Sequence, residues 1–422
     1  MKRYSLSLAA LVLSTLCFGQ ANILPSKAQN KPIIISHATI HTATGLVINN
    51  GFIAFNGGKI TALGEGEAPN IADANTIDAS GKHVYPGFIV PNTILGLVEI
   101  ELGARSTDDG TEVGEINPHV RSLIAFNTDS KVIPTTRSNG ILMAQPTPLG
   151  DLIPGQSSVV TLDAWNWEDA AYKKDMAVHV NWPSTQGTGP AAEAGQKALD
   201  QLNSYFTEAK AYAQLTKPAV TNARFEALKG LFDGSKKLFV NVNQATGMLQ
   251  AINFAKSFGL NLVLVGASEA YLVADVLKEN QVPVIIAETQ ALPDKNDDDV
   301  YLPYTLPKIL QDAGVLVAIG GNNRVDRVRS LPFQAGTAAA YGLSKEQALA
   351  LITINTAKIL GIDKSTGSLE VGKDATLFIS GGDALDMLGN KVENAFIQGR
   401  TINLDNLHKQ LYKRYQEKYG VK

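Results

Sequence analysis

The stretch KKLFVNVNQATGMLQAINFAKSFGLNLVLVGAS at residues 236–268 decides the fold. Two short apolar runs, 236–244 and 260–268, flank a segment whose apolar residues recur with helical spacing. A short run that is apolar on both faces is typical of a strand in a parallel sheet, because helices cover both sides of such a sheet. The stretch therefore predicts one strand–helix–strand unit.

Similar runs extend this pattern through the middle of the chain. GILMAQPTPLG (140–150), VPVIIAE (282–288) and GVLVAIGGN (314–322) are apolar, and helical patterns separate the later runs. Repeated units of this kind predict an α/β fold, and residues 86–360 suffice for a (β/α)8 TIM-type barrel. A doubly wound open sheet is the alternative, but no GxGxxG or P-loop pattern opens a helix. Residues 150–235 hold few clear strands and are interpreted as partly an insertion.

Segments rich in β-forming residues lie near both ends of the chain. Asn50–Gly51 and Gly57–Gly58 predict hairpin turns in the first of them, because Asn and Gly accept positive φ. Since the barrel pattern lies between the two ends, we expect residues 22–85 and 361–403 to form one small β-sandwich domain together.

The last segment, residues 404–422, predicts a C-terminal helix. Leu407, Leu411 and Tyr415 stand at i, i+4 and i+8 with basic residues around them. Such spacing indicates an amphipathic helix that docks on the rest of the protein. Binding to a membrane surface or to a partner protein is the alternative.

Composition excludes several classes of protein. The chain has 422 residues, of which 45% are hydrophobic and 18% charged, so it can build a large core. Its formal net charge of −3 disfavours binding to nucleic acid. One cysteine cannot form an intramolecular disulfide or a cysteine-cluster metal site.

The first 21 residues predict a signal peptide. Lys2 and Arg3 precede an apolar stretch from residue 6 to residue 18, and Gly19-Gln20-Ala21 fits a signal-peptidase site. Cleavage after Ala21 would leave 35 basic and 40 acidic residues, a net charge of −5 and no cysteine. We therefore expect a periplasmic or secreted protein, and the remaining chain contains no apolar run long enough to span a membrane.

Three motifs resemble the amidohydrolase superfamily, and especially its exported, imidazolonepropionase-like members. They are IDASGKHVYPGFI (77–89), SLPFQAGTAAAYGLSKEQALALITINTAKILGI (330–362) and GSLEVGKDATLFI (367–379). The resemblance implies a (β/α)8 barrel with a small β-sandwich and the hydrolysis of C–N bonds other than peptide bonds. It also implies a metal at the carboxyl end of the barrel that makes a bound water nucleophilic. Homo-oligomers are common in the family.

The positions that the resemblance assigns to metal ligands hold other residues. The family's His-x-His pair aligns with Asn92 and Ile94, and its next two histidines align with Asn241 and Gly266. The aspartate after the last strand aligns with Asn322. Of six histidines, none lies between His179 and His408, so no shift of the alignment restores the set. We therefore expect no metal or other cofactor, and a protein without metal-dependent hydrolysis.

Two functional hypotheses follow. In the first, the barrel binds a small molecule or a partner protein, with Asn92, Asn241, Asn322 and Arg324 as candidate binding residues. Arg324, with the nearby Arg327 and Arg329, would clamp an anionic group, although surface ion pairing is the alternative.

In the second hypothesis the chain remains a C–N hydrolase on a cyclic amide or dipeptide-like substrate. It would use a divalent cation held by oxygen ligands, or a metal-free acid/base pair. The candidates lie in the acidic segment after the first barrel strand, namely Asp108, Asp109, Glu112, Glu115 and His119. A solvated loop is the alternative.

His179 and three tryptophans complete the candidates. His179 lies in an apolar, strand-like run, where it is either a base or a hydrogen-bonded structural residue. Trp165, Trp167 and Trp182 flank the same region and either stack on a ring-shaped ligand or pack against the barrel.

Overall fold

A computed structural model describes residues 24–99, 110–321 and 324–421. The predicted signal peptide therefore lies outside the described residues, as do Asp108, Asp109 and Asn322. The strands are β1 Ile33–His41, β2 Val47–Asn56, β3 Lys59–Glu65, β4 Asn75–Asp78, β5 His83–Pro86, β6 Phe88–Thr93, β7 Ile141–Pro146, β8 Gly155–Thr161, β9 Ala171–Asn181, β10 Lys237–Val242, β11 Leu262–Gly266, β12 Val284–Ile286, β13 Val317–Ile319, β14 Leu377–Ser380, β15 Val392–Ile397 and β16 Arg400–Thr401.

The α-helices are longer on average than the strands and lie mainly between the later strands. They are α1 Ser122–Ala125, α2 Val132–Arg137, α3 Trp167–Ala170, α4 Pro190–Ala213, α5 Ala223–Phe232, α6 Ala245–Phe258, α7 Ala274–Glu279, α8 Leu302–Asp312, α9 Leu331–Ala340, α10 Lys345–Leu351, α11 Ile354–Leu360 and α12 Leu407–Tyr419. Two 3₁₀ helices cover Ala270–Val273 and Val325–Ser330. Within the described part of the chain, no helix combines the length and apolarity that crossing a membrane requires.

Segments from both termini form one separate β domain. Its eight strands lie in the order β16-β15-β14-β5-β1-β2-β3, and β4 pairs with β1. The two halves of the chain join where β5 and β14 pair antiparallel, with Val84 opposite Ile379. Ile35, Phe55 and Phe396 belong to a hydrophobic core that is distinct from the barrel's. The prediction of a β domain built from both termini is thus confirmed, and its strands belong to a single continuous sheet.

One predicted turn is wrong. Gly57–Gly58 connects β2 to β3 as expected, but Asn50–Gly51 lies within β2. Asn50 has φ 45°, and the pairing of β1 with β2 shifts register opposite it. A positive φ favours Asn and Gly both in a hairpin turn and at an irregularity inside a strand. The dipeptide therefore predicts a residue with positive φ, but it does not show whether that residue lies in a turn or in a strand.

The second sheet forms the predicted barrel. Its eight strands follow the order β13-β12-β11-β10-β9-β8-β7-β6, and most neighbours pair parallel. After β13 the chain returns to β6, where the Gly321 N–H donates to the Pro91 carbonyl at 2.7 Å. A Cβ on Gly321 would stand 2.8 Å from Thr93 Cβ of β6, so glycine permits this close approach and the barrel is nearly closed.

One strand departs from the repeated strand–helix pattern. β8 pairs antiparallel with both β7 and β9, because a short loop of residues 147–154 connects it directly to β7. The segment interpreted as partly an insertion, residues 150–235, therefore contributes β8 and β9 to the barrel, and its helices α3, α4 and α5 lie outside the sheet. All seven residues of β8 are buried, although five of them are polar or glycine. That composition hid the strand from a search for apolar runs.

Candidate functional site at the barrel mouth

A cavity of about 640 Å³ opens at the carboxyl end of the barrel strands. It lies among the ends of β6, β9, β10 and β11, the β7–β8 loop and the start of α6, which is where barrel enzymes place their sites. Its polar lining consists of amides, hydroxyls and one indole, namely Asn92, Thr147, Asn181, Trp182, Ser184, Thr185, Gln186, Asn241, Asn243, Gln244, Thr246 and Gln250. None of the described residues that line the cavity is ionisable.

Asn92 lies at the end of β6 in a strained conformation. Its φ of 48° places it in the left-handed region, which asparagine tolerates better than most residues. Its backbone N–H donates to Gln145 Oε1 at 3.0 Å, so a buried side chain holds that conformation in place. Strained residues of this kind concentrate at functional sites. The predicted binding residue Asn92 lines the cavity, and the hydrogen bond to Gln145 holds its backbone in position.

Asn241 lies opposite on β10 and is also fixed. Its Nδ2 donates to Asn181 Oδ1 at 2.8 Å. Asn181 in turn donates to the Gly150 and Asp151 carbonyls at 2.8 and 2.7 Å. These bonds orient the Asn241 amide and leave its Oδ1 without a donor among the described residues. Asn241 thus offers a positioned acceptor to the cavity.

Trp182 forms one wall of the cavity. Its indole N–H donates to Gln250 Oε1 at 3.2 Å, and Gln250 donates to Thr185 Oγ1 at 3.0 Å. The indole ring packs edge-on against Phe254, with the ring centroids 5.5 Å apart. Of the three tryptophans that were candidates for stacking on a ligand, only Trp182 lines the cavity. Trp165 does not line it and is 63% exposed.

A buried polar chain lies beneath the cavity. Gln145 accepts from the Asn92 N–H and donates to Ser157 Oγ at 2.9 Å, and Ser157 Oγ lies 2.7 Å from His179 Nε2. Ser157 therefore connects Gln145 to His179 Nε2, and the second ring nitrogen of the imidazole is Nδ1. That Nδ1 is buried without a partner among the described residues.

His179 is therefore a neutral structural imidazole in this structure. Its side chain is fully buried, and burial lowers its pKa from 6.5 to about 3. It does not line the cavity. Sequence analysis missed Gln145 and Ser157, which connect His179 to Asn92. The sequence did contain one indication of these residues, because both are polar residues that alternate with others in short strand-like runs.

The residues present at the family's ligand positions do not fit a metal ion. Ile94 is buried in the hydrophobic core. Gly266 has φ 84°, and a Cβ there would stand 2.5 Å from Asn243 Oδ1, so the local backbone is suited to glycine. Across residues 24–99, 110–321 and 324–421, no three His, Cys, Asp or Glu side chains are grouped so that they could hold a metal.

The acidic segment does not converge on the cavity. Glu112, Glu115 and His119 are exposed and do not line it. The segment runs beside the β7–β8 loop, with bridges from Thr111 to Leu149 and from Ile116 to Ile153. The structure therefore does not bring these three side chains together as a cation site.

The arginine cluster does not line the cavity, although Arg327 and Glu288 line a small adjoining pocket that shares Ala287 and Gly321 with it. Arg324 pairs with Asp326 at 3.2 Å, and both side chains are about half exposed. Arg327 pairs with Glu288 at 3.4 Å, and Arg329 approaches His408 at 3.5 Å. Surface ion pairing accounts for these positions, and none of the arginines lines the mouth cavity.

Comparisons with known proteins agree with this architecture. The family model described as "Amidohydrolase family" matches residues 303–402. The solved structure of an amidohydrolase from Thermotoga maritima MSB8 is 26% identical and superposes with a TM-score of 0.78, covering 88% of this chain and 99% of that one. A structure of a Xaa-Pro dipeptidase with bound methionine shares the fold at 14% identity, with a TM-score of 0.57 and coverage of 88% and 100%.

A curated relative matches only locally. Amidohydrolase tasK from Hapsidospora irregularis is 36% identical over 118 residues, which is 26% of this chain. The match spans 12% of that relative's length.

Proposed function

This chain belongs to the amidohydrolase superfamily, and from that premise we propose that it binds a small uncharged molecule at the barrel mouth without metal-dependent hydrolysis. The observation that carries the proposal is the chemistry of the 640 Å³ cavity, whose described lining offers amides, hydroxyls and an indole but no imidazole or carboxylate. Amide groups neither lower the pKa of a water nor relay its proton at neutral pH.

The lining also indicates the class of ligand. Side-chain amides donate and accept hydrogen bonds at once, so they complement amide and hydroxyl groups, which do the same. A charged ligand would lose its hydration without finding an opposite charge among the described lining residues. Trp182 supplies flat apolar surface against a ring. We therefore infer a neutral cyclic molecule that carries several amide or hydroxyl groups, of a size that suits pockets of about 300–1,000 Å³.

Calorimetric titration of the purified protein with neutral cyclic amides and N-acetylated sugars tests this proposal. Replacing Asn241 by Ala removes one positioned acceptor, so we expect affinity to fall about tenfold, as the loss of one hydrogen bond implies. Trp182→Leu should weaken binding by a similar factor. The matched control is Trp165→Leu, because Trp165 is exposed and away from the cavity.

The competing hydrolase hypothesis is tested with the same preparation. Dipeptides, hydantoins and lactams are incubated with added Mg²⁺, Ca²⁺ or Mn²⁺ between about pH 5 and 9, the range in which an acid/base pair of ordinary side chains would work. We expect no turnover. Turnover that disappears in a Glu112→Gln/Glu115→Gln variant would overturn the proposal in favour of an oxygen-ligated cation.

Export belongs to the same proposal. The basic start, the apolar stretch and Gly19-Gln20-Ala21 support cleavage after Ala21 and a periplasmic or secreted protein. Mass spectrometry of the protein from its native host tests this. A chain that begins at Asn22 is expected, and an uncleaved chain in the cytoplasm would contradict it.

A further inference from the structure

The later turns of helix α12 present exposed aromatic side chains to solvent. Asn406 caps its start, where the side chain accepts from the Lys409 N–H at 3.0 Å, and Gly420 ends it with φ 61°. None of its 13 residues is buried. The predicted helix is present, and its first turns lie beside the barrel, where Leu407 lines a cavity together with Ile133 and Leu162. The tyrosines of its later turns are exposed.

The exposed face is largely aromatic, with the half-buried Leu411 at its centre and Lys418 and His408 also within it. At 100° per residue, its apolar side chains fall within an arc of about 140°, as expected for one face of an amphipathic helix. These are Leu407, Leu411, Tyr412, Tyr415 and Tyr419. Tyr412 is 65% exposed and Tyr419 68% exposed. Exposed apolar area of this kind marks a surface that contacts something else.

Positive charge surrounds this face. The helix carries Lys409, Lys413, Arg414 and Lys418 against a single acidic residue, Glu417, although the whole chain has a net charge of −3. Arg414 and Lys418 lie over the Tyr415 ring at 5.6 and 5.9 Å. Lys413, Arg414 and Lys418 form no ion pair with a carboxylate among the described residues. The face therefore suits an anionic partner.

We propose that α12 docks on the surface of an anionic lipid bilayer. In that position the leucines and tyrosine rings enter the boundary between headgroups and acyl chains, and the basic side chains extend to lipid phosphates. A protein groove fits less well, because it would have to supply a fixed partner to each buried tyrosine hydroxyl. Headgroups and their water supply those partners without a preformed site.

Vesicle co-sedimentation of the full chain tests the proposal. The probes are vesicles of phosphatidylcholine alone and of phosphatidylcholine with one quarter phosphatidylglycerol. We expect binding to the anionic vesicles, weakening as salt rises because the attraction is screened. Lys413→Glu/Arg414→Glu/Lys418→Glu should reduce binding by at least about tenfold. Tyr415→Ser/Tyr419→Ser should reduce it as well, since it removes inserted rings.

The matched control carries the same change in charge elsewhere. Lys197→Glu/Lys217→Glu/Lys364→Glu alters three exposed lysines away from α12 and should bind like the unaltered protein. Equal loss in both triple variants would show attraction to net charge alone and overturn the proposal. So would absence of binding to anionic vesicles, and so would a dimer in light scattering that is lost in the tyrosine variant without any vesicle binding. None of these outcomes bears on ligand binding at the barrel mouth.

Discussion

The barrel mouth and the boundary between the two domains differ in their chemistry. The mouth cavity is lined by neutral amides among the described residues, whereas the boundary concentrates imidazoles and carboxylates. There His41 Nδ1 lies 2.6 Å from Glu346 Oε1 of α10, and its Nε2 lies 3.0 Å from His83 Nδ1. The Tyr85 ring stacks on His41 at 4.3 Å.

This contrast indicates that the histidines and the glutamate at the boundary hold the two domains of the chain together. His41 and His83 belong to the β domain and Glu346 to the barrel, so the cluster connects two bodies with separate cores. Burial lowers the pKa of His83, and that favours the neutral imidazole that the contact with His41 requires. Changes at the mouth should therefore alter ligand binding, and changes at the boundary should alter stability and its dependence on pH.

The largest change in stability is expected at Gly266, a position at the barrel mouth where the backbone conformation leaves no room for a side chain. Gly266→Ala would force alanine into φ 84° and bring its Cβ to 2.5 Å from Asn243 Oδ1, so we expect a loss of about 2–3 kcal/mol in the free energy of unfolding. Gly259→Ala is the control, because Gly259 has φ 75° and no neighbour within 4 Å. It should cost about 1 kcal/mol in urea unfolding. Equal losses would mean that the contact with Asn243 has no cost.

The buried imidazole beneath the mouth should make stability depend on pH. His179 has a pKa of about 3 in the folded protein, against 6.5 for an exposed imidazole, so the unfolded chain binds more protons as pH falls below 6.5. Between pH 7 and 5 this lowers the free energy of unfolding by about 2 kcal/mol. His179→Gln should remove that part of the pH dependence.

Urea unfolding at several pH values checks this expectation. Between pH 7 and 9 the histidine is neutral in both states, so the two proteins should show the same pH dependence there, which serves as the control. An unchanged difference between pH 7 and pH 5 in His179→Gln would contradict the burial argument.

A smaller effect is expected at the domain boundary. The His41–Glu346 contact is mostly buried, with side-chain exposures of 13% and 19%, so a double-mutant cycle should give a coupling of about 1 kcal/mol. The variants are His41→Gln, Glu346→Gln and the pair together. Ligand binding at the mouth should not change. Additive effects on unfolding would show that the contact does not join the domains.

The smallest effect is expected at the arginine cluster. Arg324→Ala removes a half-exposed ion pair with Asp326, so the free energy of unfolding should change by less than about 0.5 kcal/mol. Ligand affinity at the mouth should also be unchanged, as measured by the same calorimetric titration. A large loss of affinity would restore Arg324 as the binding residue that the sequence predicted.

Sequence patterns predicted the strands and helices correctly where the buried residues are apolar and follow one another along the chain. The stretch 236–268 predicted β10, α6 and β11 because apolar runs and helical spacing coincide there. β8 escaped detection because its buried positions include Gln156, Ser157 and Ser158, whose side-chain partners lie elsewhere in the chain. Burial of a polar residue depends on partners distant in sequence, and periodicity does not carry that information.

The same reason limits prediction of the site. Asn92 and Asn241 were identified through the resemblance and do line the cavity. Gln145, which fixes Asn92, and Asn181, which fixes Asn241, were not identified, since both act through contacts between strands. Trp182 was a candidate, but only the folded chain distinguishes it from Trp165.

Metal analysis of the purified full-length protein tests the central claim most directly. Inductively coupled plasma mass spectrometry follows dialysis against a weak chelator, which removes loosely bound ions but leaves a structured site loaded. Since the described mouth residues present amides where the resemblance places the ion, we expect far less than one zinc or other transition metal per chain. One retained equivalent per chain would contradict the account.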